Sequence, residues 1–129
     1  MKLEHLALQV ADPAAMAAWY IKHLGCSLAR AGGEPAFMHF IKDDSGAVMV
    51  ELYRNPRVAV PNYEAMDPLL LHLAFLSANP AADRDRLVAA GATIAEDLTT
   101  TPVGDELVML RDPWQIALQL VKRVTPMVK

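Results

Sequence analysis

His5, Glu51, His72 and Gln119 are the side chains of this 129-residue sequence whose types and spacing suggest chemistry. Imidazole nitrogens with carboxylate and amide oxygens form a donor set that suits Fe, Ni, Mn, Co or Zn. The spacing comes from an internal repeat. Residues 5–15, HLALQVADPAA, return as residues 72–82, HLAFLSANPAA, with seven of eleven positions identical. The match continues through 25–29 against 91–95 and through 44–52 against 112–120. His5 therefore corresponds to His72 and Glu51 to Gln119.

The elements that must position these residues follow the same plan twice. Residues 2–10 alternate as a strand, Asp12 can cap a helix with Pro13 at its first position, and Gly25 suits a left-handed helix end. Asn79, Pro80 and Gly91 repeat that punctuation. Strands are expected at 26–30, 36–42 and 47–54 in the first half, and at 93–98, 105–111 and 115–122 in the second. The fold class is α+β: two tandem βαβββ modules form a cupped, half-open mixed sheet with helices outside. One domain spans 1–129, with module one at 1–54, a proline-rich linker at 55–68 and module two at 69–123.

Side chains alternate between the faces of a strand. Leu6, Leu8 and Val10 then turn toward a helix, as do Val48, Val50 and Leu52, which leaves His5, Ala7 and Gln9 with Met49, Glu51 and Tyr53 on the other face. Leu71, Leu73 and Phe75 with Ile116, Leu118 and Leu120 make the same choice in the second half, exposing His72 and Gln119 among Ala74 and Ala117. Two imidazoles and a carboxylate gathered in an apolar cup are costly without a partner, and one divalent cation removes most of that cost. Tyr53 shares the Glu51 face, while Arg54 and Arg57 just beyond it could anchor a substrate carboxylate. His39 reads as lining or surface, and His23 as a cation at a helix C-terminus. Cys26 reads as a packed thiol.

Composition narrows the partners. The chain has 12 Lys and Arg against 15 Asp and Glu, a net charge of −3 and no basic stripe, so nucleic acid is not an expected partner. No signal sequence and no apolar run of ~20 residues is visible, so no membrane is expected and the location is read as cytoplasmic.

These residues resemble glyoxalase I and its relatives in the vicinal-oxygen-chelate superfamily. The marks are the His5 strand with Trp19-Tyr20 and Leu24-Gly25, the segment from Glu51 to Asn55, the His72 strand, and Asp112-Pro113 leading to Gln119. The resemblance implies a metal-dependent lyase or isomerase acting on a small substrate with vicinal oxygens, as a homodimer. Chelation of those oxygens would stabilise an enediolate, and Glu51 would be the one base that moves the proton. By the same resemblance Gln9 and Asn55 occupy substrate-contacting positions, although Gln9 stands where bacterial glyoxalase I has an Arg for glutathione. Two alternatives stay open: a metal-free small-molecule binding protein of the bleomycin-resistance type, and an epimerase or ring-cleaving dioxygenase of the superfamily.

Overall fold

Each half of the chain begins with a strand that hands over to a capped helix. In the computed structural model, which describes residues 1–127, β1 (His5–Gln9) leads to α1 (Pro13–Leu24). The Asp12 carboxylate accepts the Ala15 amide at 3.0 Å, and Gly25 ends the helix at φ 71°. A side chain would be strained at that angle, which explains the glycine. β5 (His72–Leu76) and α2 (Pro80–Ala89) repeat the arrangement, with Asn79 accepting the Ala82 amide at 3.1 Å.

Three strands complete each half. β2 (Ser27–Ala31), β3 (His39–Lys42) and β4 (Met49–Tyr53) follow α1, and β6 (Thr93–Thr100), β7 (Glu106–Arg111) and β8 (Ala117–Lys122) follow α2. Each half forms its own four-stranded mixed sheet, ordered β1-β4-β3-β2 in one and β5-β8-β7-β6 in the other. The first strand pairs parallel with the last, and the other pairings are antiparallel. This is the expected α+β plan of two tandem modules. The chain divides into two compact units between Pro61 and Asn62, inside the expected linker.

The core of each unit lies between helix and sheet. Met16, Ala17 and Tyr20 share one face of α1 and are buried, as are Leu8, Val10, Ile41 and Leu52 of the sheet side. Fully burying a large apolar side chain contributes roughly 1.5–3 kcal/mol, so this small set accounts for much of the unit's cohesion. In the second unit Leu87 of α2 is fully buried, as are Leu110 and Leu118, with Val108, Ile116 and Leu120 almost so. Two expected core residues differ: Leu6 is 41% exposed and Val48 38% exposed. Both lie toward the starts of parallel-paired strands, where regular pairing begins only at His5 and Met49.

The linker is also more ordered than its prolines suggest. It contains a 3-10 turn at Tyr63–Ala65, capped by Asn62, and Tyr63 is buried. Among the described residues no helix is long and apolar enough to cross a membrane.

Candidate functional site

The strand registers place the candidate ligands at matching points of the two sheets. β1 pairs with β4 so that His5 lies opposite Met49 and Ala7 opposite Glu51. β5 pairs with β8 so that His72 lies opposite Ala117 and Ala74 opposite Gln119. In each unit, then, the histidine and the carboxylate or amide residue sit on neighbouring strands, one pleat repeat apart and on one face. The duplication read from the sequence is repeated in the hydrogen-bond register.

In the first unit the pair meets. His5 Nε2 stands 3.5 Å from a Glu51 carboxylate oxygen, with the Glu51 side chain 19% exposed and that of His5 34%. The other imidazole nitrogen, Nδ1, is bonded to the Glu4 carboxylate. A carboxylate only accepts, so Nδ1 carries the hydrogen, and in the neutral ring Nε2 presents a lone pair toward Glu51. Two electron-rich atoms facing each other at that distance need something positive between them. Two ligand atoms each ~2.1 Å from a tetrahedral or octahedral cation stand about 3.0–3.4 Å apart, so the His5–Glu51 spacing fits a shared cation. A proton on Nε2 would serve the same electrostatic need. The Phe40 ring on β3 meets the His5 imidazole edge-on, centroids 5.4 Å apart, giving the pair an apolar wall.

In the second unit His72 Nδ1 donates to the Pro68 carbonyl at 3.1 Å, so in the neutral ring its Nε2 also carries the lone pair. Metal-ligating histidines are commonly oriented in this way through the second nitrogen. It is not a sufficient mark, because His39 Nδ1 likewise donates to the Phe37 carbonyl, at 2.8 Å, and His39 shares the row of the core residue Leu52. Gln119 is half-buried on β8. Among the described residues no group of three or more His, Cys, Asp or Glu side chains is assembled to hold a metal ion. The expected ligands are present as two pairs, one in each unit.

The remaining candidates separate by what they touch. Tyr53 lies beside Gln9 in the register and shares the Glu51 face. Gln9 is only 7% exposed, and its amide binds the main chain: it accepts the Asn55 amide and donates to the Asn55 and Val58 carbonyls, each at 2.8 Å. Asn55 in turn accepts the Arg57 amide at 3.0 Å, closing a turn. Gln9 and Asn55, expected to touch substrate, thus hold the first part of the linker. Arg54 lines an open cavity of about 280 Å³ with Asp12, Pro13 and Phe37 at the start of α1, away from the Glu51 face. Arg57 is exposed. Cys26 is buried, and that burial, reinforced by Asp43, pushes its thiol up to about 11, which agrees with an inert packed sulfur.

Two residues escaped the sequence reading. Glu4 was hidden by parity, since strict alternation turns it away from His5, but regular pairing starts only at His5. Arg111, on the same face as His72 through Ala117, donates to the Tyr63, Met66 and Gln115 carbonyls at 2.8, 2.6 and 2.9 Å. It ties the second part of the linker to the sheet that carries His72.

Comparison with known proteins adds the lineage. The family model described as Glyoxalase/Bleomycin resistance protein/Dioxygenase superfamily matches residues 2–120. No curated protein matches the chain. Among solved structures, SMU.1112c is 23% identical with a TM-score of 0.73, covering 95% of this chain and 98% of that one. TnmS3, an antibiotic binding protein from Streptomyces sp. CB03234, is 16% identical with a TM-score of 0.70, covering 95% of each chain. A glyoxalase-related enzyme from Fulvimarina pelagi is 17% identical with a TM-score of 0.72, covering 95% of this chain and 88% of that one. At these identities the likeness is one of fold.

Proposed function

Because this chain belongs to the Glyoxalase/Bleomycin resistance protein/Dioxygenase superfamily, we propose that it binds one divalent cation through His5, Glu51, His72 and Gln119 and acts as a lyase or isomerase on a small substrate with vicinal oxygens. The observation that carries this reading is the approach of His5 Nε2 to the Glu51 carboxylate at 3.5 Å, with Nδ1 bonded to the Glu4 carboxylate. When bound, the cation would act as a Lewis acid on neighbouring substrate oxygens.

The protein's own groups supply the rest. Glu51 is the carboxylate of the proposed set and the one member suited to take and return a substrate proton, whereas the Gln119 amide has no such capacity. Phe40, Met49 and Tyr53 flank it on the same face and favour an apolar body next to the reacting atoms. Glu4 orients the His5 ring.

The test is elemental analysis after dialysis against zinc or nickel, for wild type and for His5→Ala and His72→Ala. About one metal per chain in wild type and a marked loss in both variants supports the assignment. Glu51→Gln should abolish exchange of the α-protons of dihydroxyacetone in D2O, and undiminished exchange would end the case for Glu51 as the base. A second reading, a metal-free binding protein, draws on the apolar lining and on the fold likeness to an antibiotic binding protein. Wild type that takes up no metal would favour it.

A further inference from the structure

The face that carries His5 and Glu51 also carries two positive charges on the outer strands of the same sheet. Residues directly opposite on antiparallel strands point the same way. Glu51 faces Phe40 across β4 and β3, and Phe40 faces Arg30 across β3 and β2. One pleat repeat along, Met49 faces Lys42, and Lys42 faces Ser27. The contact between the Phe40 and His5 rings independently fixes which face this is. Arg30 is exposed, Lys42 is half-buried, and neither has a carboxylate partner among the described residues.

The repeat makes this pair informative. By register the counterpart of Lys42 is Arg111, whose guanidinium is engaged with the Tyr63, Met66 and Gln115 carbonyls. The counterpart of Arg30 is Glu96, opposite Met109. One unit has bound its cation to the main chain and placed an acid beside it. The other keeps both positions cationic and unpaired, in a chain that is acidic overall.

We infer that Arg30 and Lys42 form an anion subsite, so that the substrate carries a carboxylate, sulfonate or phosphate group away from its reacting oxygens. This rests on the proposed reading of His5 and Glu51 as the reacting end. Neighbouring strands lie about 4.8 Å apart, so Arg30 sits roughly 10 Å from Glu51 at the main chain, with Phe40 between. Long cationic side chains shorten that span. The fitting substrate is an apolar or planar body over Phe40 with vicinal oxygens at one end and an anion at the other.

Two probes separate the claims: 4-carboxybenzohydroxamate, which pairs a two-oxygen chelator with a carboxylate, and its neutral analogue 4-carbamoylbenzohydroxamate. Both are titrated by calorimetry into zinc-loaded wild type and the Arg30→Gln/Lys42→Gln double variant, whose unchanged melting curve establishes its fold. The expected result is tighter binding of the carboxylate probe by about tenfold in wild type, as for a charge-assisted contact, with that preference lost in the double variant and affinity for the neutral probe retained. Equal binding of the two probes to wild type, or a preference that survives in the double variant, overturns the anion subsite while leaving the metal reading intact. Binding of neither probe overturns the metal reading, and the subsite with it.

Discussion

The two units share a plan and differ in how they use their cations and their helices. In the first, α1 buries Met16, Ala17 and Tyr20, while Arg30 and Lys42 stand unpaired on the sheet. In the second, α2 buries Leu87 and Pro80, and Arg111 is tied to three carbonyls. A duplicated scaffold lets one copy turn a charged position to structure while the other keeps it available to a ligand. The histidines differ in the same sense: a main-chain carbonyl holds His72, whereas a side chain, that of Glu4, holds His5.

Substitutions can break or sharpen this contrast. The largest effect is expected at Leu87, where truncation to Ala leaves a cavity under the thinner helix contact and should cost about 2–5 kcal/mol in urea unfolding. Next, Arg111→Met strands carbonyls that shared a charged donor and should cost about 1.5–3 kcal/mol. The matched change in the other unit, Lys42→Gln, should stay within ~0.5 kcal/mol. Equal costs at the two positions would refute the division of roles. The smallest effect belongs to Glu4→Gln, which removes the charge that orients His5 and should weaken metal binding by about tenfold with no change in melting temperature beyond a degree or two. The fraction of His5 carrying its hydrogen on Nδ1, read by nitrogen NMR of metal-free protein, should fall in parallel, which a purely structural Glu4 would not produce.

Local signals carried most of the fold. Asp12 with Pro13, and Asn79 with Pro80, cap helices through bonds made within a few residues, so short-range spacing reveals them. Repeat and alternation together place His5 and Glu51 on one face because the pleat is periodic. Gln9 shows where that logic stops. Its parity is right, but whether its amide meets a ligand or the main chain at Asn55 and Val58 depends on the path of a proline-rich segment that has no period. Arg111 was illegible for a related reason: its carbonyl partners at Tyr63 and Met66 lie 48 and 45 residues away.

Gln9 reaches the connector as far as Val58, and the Arg111 contacts resume at Tyr63, where Asn62 caps the turn. Ala59, Val60 and Pro61 fall between these two moorings. Extra residues spliced there would lengthen the connector without loosening either knot, so this is the stretch of it most open to insertion.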